Sequence, residues 1–308
     1  MGASASAEIC ELASSRIMGR AMMAVDVARP AAPSHSKALR FVCPRCRAPL
    51  ALETGVDRCS SCELAVSRSS GIVSFVAPAG TDRWLEFFES SANAPGSDTA
   101  SGVGYRFPIQ QRYVIEAFRR LSGDLPTSAL VLDVGCGNGL FCESLFGDRP
   151  VVGVDYSLGM CRLAEARGMQ VYQADARALP FAAAQFDLIY SSEVVQCIEP
   201  LPPFMAELAR VCRPGGRIII STLNRSSLLR RAARFTRRIF LPPSAENLGS
   251  LFMRSAEDML AAVPSNLRFG RVCWTHFPFP WLRCFTNTRY FLKPLASNLV
   301  VEFIKVAR

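Results

Sequence analysis

The chain has 308 residues, half of them hydrophobic, with a formal net charge of +9 and a pI near 9.1. This length accommodates one full α/β domain and a smaller unit. No segment reaches the 18 or more apolar residues that a membrane-spanning helix needs, and the N-terminus lacks the apolar run of a secretory signal. The basic excess favours an acidic partner such as nucleic acid, anionic lipid or an acidic substrate, or is an ordinary solvated surface.

Cysteine spacing marks a small unit near the N-terminus, after residues 1–38, which lack periodicity and are predicted to be disordered. Within residues 39–77 two C-x2-C pairs are separated by twelve residues. Four thiolates that converge in this way complete a closed tetrahedral site, which suits structural zinc and leaves no open catalytic position. The other eight cysteines are scattered through apparent core elements, which indicates a reducing cytoplasm. The predicted metal ligands are Cys43, Cys46, Cys59 and Cys62.

Alternating strands and helices dominate the rest of the chain. Residues 78–107 contain a Ser-, Ala- and Gly-rich stretch and are predicted to be a linker or lid. Apolar residues at helical spacing follow from Pro108 to Leu121. The alternation from Ala129 to Ser221 indicates βαβ units and a parallel sheet. The predicted strands are 129–134, 151–154, 169–173, 186–190 and 216–221, and the predicted helices are 139–146, 157–167 and 201–212.

A strand, a glycine turn and a helix follow one another at residues 130–146. Asp133 lies near the end of the strand, and Gly135, Gly137 and Gly139 occupy alternate positions after it. Glycines let the backbone bend sharply and let a ligand approach without a Cβ in the way. Such a corner is typical of nucleoside or phosphate binding in a doubly wound sheet.

The residues around this turn narrow the range of ligands that it could bind. The dinucleotide pattern requires a glycine at position 140, where Leu140 stands. Asp155 ends the next strand, at the position from which a carboxylate reaches ribose hydroxyls. Asp175 follows the third strand and can meet an adenine edge. The pattern favours a nucleoside without a pyrophosphate, such as a sulfonium nucleoside.

Residues 129–222 resemble the class I S-adenosylmethionine-dependent methyltransferases, in particular the branch of ubiquinone- and menaquinone-biosynthesis enzymes. The resemblance implies an α/β fold, with a Rossmann-like, seven-stranded, mostly parallel sheet and helices on both faces, spanning residues 108–308. S-adenosylmethionine is the implied cofactor. The motifs that carry the resemblance are Val131-Leu-Asp-Val-Gly-Cys-Gly-Asn-Gly139, Gly153-Val-Asp155, Ala174-Asp-Ala-Arg-Ala-Leu-Pro180, Phe186-Asp-Leu-Ile189 and Glu207-Leu-Ala-Arg-Val-Cys-Arg-Pro-Gly-Gly216.

The same resemblance implies a set of cofactor-binding residues. Gly135 and Gly137 would face the methionine part, and Asp155 would hold the ribose. The adenine would meet the segment after the third strand and a flanking tyrosine, and a serine past the fourth strand would close the site. The full predicted set is Asp133, Gly135, Gly137, Gly139, Asp155, Tyr156, Asp175, Ala176 and Ser191.

The cysteine unit resembles the zinc ribbon of ribosomal-RNA guanine methyltransferases, which also occurs as a free-standing activator of other methyltransferases. Cys43-Pro-Arg-Cys46, Cys59-Ser-Ser-Cys62 and the following Gly71-Ile-Val segment carry this likeness. It implies a recognition or packing module preceding the larger domain.

Two residues are candidates for a general base. Quinone-type relatives commonly carry Leu-Glu-His after Ser192-Glu193-Val194, whereas this chain has Val195-Gln196-Cys197. Glu193 is therefore one candidate, or else it only caps the next turn. His276, in an aromatic stretch, is the other candidate, or else a packed core histidine.

Residues 227–240 have the pattern of a basic amphipathic helix, with apolar residues on one face and arginines on the other. This segment lies within a predicted helical cover at 225–265. It could bind an anionic membrane surface or RNA phosphates, or it could simply cover the substrate site.

Three functions remain open from the sequence. The leading hypothesis is methyl transfer to a small apolar metabolite, with oxygen favoured over carbon or nitrogen as the acceptor atom. The protein would be cytoplasmic, either free or peripheral at the membrane. The alternative is a ribosomal-RNA base methyltransferase that uses the zinc ribbon and the basic surface to recognise RNA. A cofactor-binding scaffold without catalysis is the third.

Overall fold

The computed structural model describes residues 39–52, 58–76, 83–99, 108–232, 252–275, 284–286 and 293–306. The predicted disordered segment 1–38, the candidate base His276 and most of the predicted basic helix lie outside these residues. Residues 228–232, at the start of that helix, are helical. Within the described part of the chain, no helix is long and apolar enough to cross a membrane.

The described residues form twelve strands and six α-helices, besides a 3-10 helix at Val195–Cys197 and the helical residues 228–232. The strands are β1 (Phe41–Val42), β2 (Pro49–Leu50), β3 (Ser67–Ser69), β4 (Ile72–Ser74), β5 (Val131–Val134), β6 (Val152–Asp155), β7 (Gln170–Gln173), β8 (Phe186–Ser192), β9 (Cys212–Leu223), β10 (Leu267–Thr275), β11 (Cys284–Thr286) and β12 (Asn298–Lys305). The helices are α1 (Arg83–Ala92), α2 (Pro108–Ser122), α3 (Leu140–Phe146), α4 (Leu158–Ala166), α5 (Leu201–Val211) and α6 (Ala256–Ala261).

One ten-stranded sheet organises the molecule, in the order β11-β10-β12-β9-β8-β5-β6-β7-β4-β3. Strands β5 to β9 pair in parallel, whereas β12 lies antiparallel between β9 and β10. The seven strands from β7 to β10 confirm the predicted Rossmann-like, mostly parallel sheet. Because β6 and β8 flank β5 on opposite sides, the strand order reverses at β5. In open α/β sheets, ligands bind at the carboxyl ends of the strands at such a reversal.

Helices cover both faces of this sheet. On one face, α2 packs Val114, Phe118 and Leu121 against β5, β8 and β9. On the other, Phe204 and Leu208 of α5 join the main core cluster. All four residues of β5 are buried, as expected for a central parallel strand covered on both faces.

The cysteine unit is continuous with this sheet, which the sequence did not predict. Strand β4 pairs in parallel with β7, joining Val73 to Tyr172 and Ser74 to Gln173, and β3 extends the edge. Buried residues of the unit, including Cys43 and Cys59, belong to the same hydrophobic cluster as the central strands. The predicted division into a ribbon at 39–77 and a domain from 108 stays a prediction, and the described residues of both share one sheet and one core cluster.

Helix α1 lies within the segment 78–107, and the role of that segment as a linker or lid stays a prediction. Nine described cysteines form no disulfide bond, whereas Cys273 in β10 is disulfide-bonded. The reducing environment inferred from cysteine usage therefore stays a prediction.

Candidate cofactor and acceptor site

The glycine turn and the end of β6 form one hydrogen-bonded corner. The Asp155 carboxylate accepts the Gly137 N–H at 2.8 Å and the Ser157 N–H at 2.9 Å. Burial raises the pKa of Asp155, and the amides of Ser157 and Gly137 oppose that shift. A carboxylate has about four acceptor positions, so acceptor capacity beyond these amides remains for ribose hydroxyls.

Two glycines of the turn are required by close approach of their neighbours. A Cβ on Gly135 would lie 2.0 Å from the Val194 Cγ2 atom, and Gly135 has a φ of +76°. A Cβ on Gly139 would lie 3.1 Å from the Cα atom of Ala164 in α4. The first glycine thus brings the loop after β8 against the turn, and the third lets α3 pack on α4.

Asp133 lies behind the turn. It is 2% exposed, and its Oδ2 atom accepts a 2.6 Å hydrogen bond from the Tyr190 hydroxyl. Burial raises the pKa of Asp133 to about 8, against the lowering effect of that hydrogen bond. Its described partner is therefore Tyr190, and direct contact with a cofactor stays a prediction.

The other predicted cofactor residues line neighbouring strand ends. The Ala174 N–H donates to the Asp155 carbonyl at 2.9 Å, which brings the start of the segment after β7 beside β6. Within that segment Asp175 forms an ion pair with Arg177 at 2.7 Å, and Ala176 is 9% exposed. The Tyr156 carbonyl accepts the Gln173 side-chain amide at 3.0 Å. The fully buried Ser191 donates its hydroxyl to the Val134 carbonyl at 2.8 Å, which ties β8 to β5.

The segment 83–99 attaches to this corner through residues that the sequence analysis did not single out. The Asn138 side-chain amide donates to the Ser97 and Thr99 carbonyls at 2.8 and 2.9 Å. In α1, the Glu89 carboxylate accepts the Ser157 hydroxyl at 2.9 Å and the Gly159 N–H at 3.1 Å, at the N-terminus of α4. A carboxylate is favourable there because helix N-termini carry unsatisfied N–H groups. Asn138 stands at a variable position of the G-x-G-x-G motif, so the sequence did not indicate that it holds this segment.

Glu193 belongs to a second, polar cluster where β8, β9 and β12 end or begin. Its Oε1 atom accepts the Asn298 side-chain amide at 2.9 Å and the Ser221 hydroxyl at 3.2 Å. Asn298 in turn accepts a 2.8 Å hydrogen bond from Arg230. Burial raises the pKa of Glu193, while Arg230, Asn298 and Ser221 oppose that shift.

This cluster lies next to the glycine turn, because Val194, which follows Glu193, is the residue that contacts Gly135. Glu193 has a φ of +62°, a strained conformation for a residue with a side chain. Its N–H donates to the Ser221 carbonyl at 3.2 Å, which helps to hold that conformation. The other candidate base, His276, lies outside the described residues.

The four predicted metal ligands also come together. The ligand atoms of Cys43, Cys46, Cys59 and Cys62 all lie within 4.8 Å of one another, and two pairs of sulfurs are 3.5 Å apart. A tetrahedral site with Zn–S bonds of about 2.3 Å separates its sulfurs by about 3.8 Å. The cluster could therefore hold a metal ion.

Comparison with known proteins matches the central part of the chain to a known family. Residues 132–220, which contain the glycine turn and Asp155, match the family described as "Methyltransferase domain". This segment of the chain is similar to methyltransferase domains. It covers β5 to β9, so the turn, the strand ends and Glu193 all fall within it.

Curated relatives of this chain include O-methyltransferases. The chain is 37% identical over 151 residues to a malonyl-[acyl-carrier protein] O-methyltransferase from Erwinia pyrifoliae, covering 45% of this chain and 58% of that protein. It is 38% identical over 103 residues to a ubiquinone biosynthesis O-methyltransferase from Sinorhizobium medicae, covering 31% and 42%. The chain thus spans about half the length of these relatives.

Solved structures support the fold. A SAM-dependent methyltransferase from Thermotoga maritima matches with a TM-score of 0.54 and 20% identity, covering 72% of this chain and 99% of that one. The magnesium protoporphyrin IX methyltransferase from Synechocystis PCC 6803, solved with bound SAH, matches with a TM-score of 0.51 and 17% identity, covering 72% and 98%.

Proposed function

We propose that the protein transfers the methyl group of S-adenosylmethionine to an oxygen atom of a small apolar metabolite. The observation that supports this most directly is the corner formed by Gly137 and Asp155 beside the reversal of strand order at β5. In the proposal, the ribose hydroxyls bind Asp155, the adenine lies along Tyr156, Asp175 and Ala176, and the methionine part faces Gly135. The relatives from Erwinia pyrifoliae and Sinorhizobium medicae are O-methyltransferases, which supports oxygen as the acceptor atom.

In this reaction the acceptor oxygen attacks the sulfonium methyl carbon in line with the C–S bond. The new C–O bond forms as the C–S bond breaks. The electron pair of the C–S bond stays on sulfur, and neutral S-adenosylhomocysteine leaves. The methyl group carries its own leaving group, so positioning supplies much of the catalysis. A hydroxyl acceptor must also lose its proton, whereas a carboxylate acceptor has none to lose.

Glu193 is the proposed acceptor of that proton. A carboxyl group whose pKa is raised toward neutrality is a better general base near pH 7 than an ordinary one. The pKa of Glu193 is raised by burial, and the residue beside it contacts the glycine turn. The hydrogen bonds from Asn298 and Ser221 would fix the direction of its Oε1 atom.

Glu193→Gln tests this role because it keeps the shape and removes the base. We expect the rate of methyl transfer to a hydroxyl acceptor to fall by about 10²–10⁴-fold, with the dissociation constant for S-adenosylmethionine nearly unchanged. In the unmodified protein the rate should rise with pH as Glu193 loses its proton, and the variant should lack that rise. Glu199→Gln is the matched control, since Glu199 is an exposed carboxylate that pairs with Arg254. Equal rates in the two variants would exclude Glu193 as the base.

The acceptor can be found with deuteromethyl-labelled cofactor. Purified protein is incubated with a phenol and quinol panel, a malonyl thioester on acyl carrier protein, and ribosomal RNA, and the products are weighed by mass spectrometry. Label in a hydroxyl or carboxyl group of a small molecule supports the proposal. A labelled hydroxyl group would mean that a base is needed, and a labelled carboxyl group would mean that none is. Label only in ribosomal RNA would refute the proposal and support the alternative.

A further inference from the structure

The cysteine unit surrounds the segment that follows β7. Before this segment, Phe75 donates its N–H to the Gln173 carbonyl at 2.9 Å, next to the β4–β7 pairing. After it, Val42 donates its N–H to the Pro180 carbonyl at 2.9 Å. The residues on either side of 174–179, Gln173 and Pro180, are therefore hydrogen-bonded to the backbone of the cysteine unit. We call residues 174–179 the adenine-side loop, because Asp175 and Ala176 lie in it.

A side-chain clamp reaches the same loop from the metal-binding turn. Arg47 immediately follows Cys46, and its Nη2 atom donates to the Glu207 Oε1 atom at 2.8 Å. The second carboxylate oxygen of Glu207 accepts the Leu179 N–H at 2.8 Å. Arg47 and Arg210 also donate to the Leu179 carbonyl, at 3.3 and 2.9 Å. Both backbone polar groups of Leu179 are thus held by this set of charged residues.

The clamp depends on the shape of the cysteine turn. Arg47 has a φ of +66° and donates its N–H to the Cys43 carbonyl at 2.9 Å. Glu63 repeats this arrangement after Cys62, with a φ of +57° and a 2.9 Å hydrogen bond to the Cys59 carbonyl. Units of about 40 residues need a metal or another staple to fold, and metal binding supplies that folding energy. Metal in the four-cysteine site would therefore hold Arg47 in the conformation that reaches Glu207.

Packing joins the same elements. The rings of Phe41 and Phe75 from the cysteine unit contact Tyr172 in β7, with centroids 5.1 and 6.4 Å away. Phe41 also contacts Phe181, just past the loop, at 5.7 Å. Unfolding of the cysteine unit would remove contacts on both sides of the adenine-side loop.

We propose that the metal-loaded cysteine unit positions the adenine-side loop for binding of the cofactor, with Arg47 as the positioning residue that connects them. This inference rests on the proposed function, because it assumes that adenine binds at this loop. It assigns the unit to the cofactor half of the reaction, whereas the resemblance to RNA methyltransferases implied recognition or packing.

The test measures binding of S-adenosylhomocysteine by calorimetry on the full chain, with zinc content determined by mass spectrometry. The chain is compared zinc-loaded, after chelation and after reloading with zinc. We expect chelation to weaken binding at least about tenfold and reloading to restore it. Arg47→Ala, with its zinc retained, should weaken binding by about 3–10-fold. Arg45→Ala is the matched control, because Arg45 lies in the same turn and its described hydrogen bond goes to the Cys62 carbonyl at 3.5 Å.

Kinetics separate positioning from general loss of structure. Once an acceptor is known, Arg47→Ala should raise KM for S-adenosylmethionine and leave kcat at saturating cofactor nearly unchanged. Equal binding by zinc-loaded and chelated protein, or by Arg47→Ala and Arg45→Ala, would overturn the inference while leaving the proposed function intact. Failure of the zinc-loaded chain itself to bind the ligand would instead refute the proposed function.

Discussion

The contact between Gly135 and Val194 gives a sharp prediction about the glycine turn. Gly135→Ala places a Cβ where the Val194 Cγ2 atom is 2.0 Å away, at a φ of +76°. The left-handed backbone costs an alanine about 1–2 kcal/mol. Overpacking adds about 1–3 kcal/mol, because Val194 and the turn must move apart. We expect the free energy of unfolding to fall by about 2–5 kcal/mol.

Gly168→Ala is the control that isolates the contact. Gly168 has a similar φ of +84°, but a Cβ there would meet nothing within 4 Å. Gly168→Ala should therefore lower the free energy of unfolding only by the backbone cost of about 1–2 kcal/mol. Chemical denaturation of both variants without ligand measures the difference directly. Because the methionine part of the cofactor is proposed to face Gly135, Gly135→Ala should also weaken cofactor binding, whereas Gly168→Ala should not.

A double mutant completes this test. Val194→Ala removes the Cγ2 atom at 2.0 Å and leaves the Cβ atom, which lies 3.2 Å from the added Cβ. Gly135→Ala should then cost less in the Val194→Ala background, with an interaction energy of about 1–3 kcal/mol. If Gly135→Ala is no more destabilising than Gly168→Ala, or if Val194→Ala gives no rescue, the close approach does not explain this glycine.

Two other predictions concern carboxyl groups, one buried and one half-buried. The pKa of Asp133 is raised to about 8, so between its ordinary value and 8 the folded state holds a proton that the unfolded state has lost. Stability should therefore fall as pH rises through this window, by about 1.4 kcal/mol per pH unit, or about 3 kcal/mol from pH 5 to pH 7. Asp133→Asn should lack this contribution, so between these two pH values its free energy of unfolding, measured by urea denaturation, should fall by about 3 kcal/mol less than that of the unmodified protein. An equal change in the two proteins would contradict the raised pKa of Asp133. Glu89→Gln should lower the melting temperature through a loss of about 0.5–2 kcal/mol, because the carboxylate stabilises the N-terminus of α4; no loss would mean that α1 does not stabilise this corner.

The sequence predicted the central sheet well because its signals are local. Buried strands such as Val131–Val134 are continuous apolar runs, and the glycines after them specify the turn. The end of α3 at Phe146 also agrees with the prediction. These features depend on hydrophobic periodicity and turn chemistry, which a short segment carries by itself.

The missed features depend on contacts between distant residues. Glu89 and Ser157 are 68 residues apart, and Asn298 and Glu193 are 105 apart, so no local pattern connects them. The pairing of β4 with β7 was missed for the same reason, since two short strands carry no mark of their partner. The hydrogen bond from Tyr190 to Asp133 was also missed, because 57 residues separate the two. Contact between Asp133 and the cofactor stays a prediction.

The central claim is that the corner at Gly137 and Asp155 binds S-adenosylmethionine. Calorimetric titration of the cofactor into the unmodified chain and into Asp155→Ala tests it most directly. Loss of two ribose hydrogen bonds to a charged group, at about 1.5–3 kcal/mol each, predicts at least about a 100-fold weaker dissociation constant. Asp175→Ala should weaken binding less, because Arg177 already pairs with that carboxylate. Saturable binding that is lost in Asp155→Ala is the predicted result, and equal affinity in the two proteins would contradict the account.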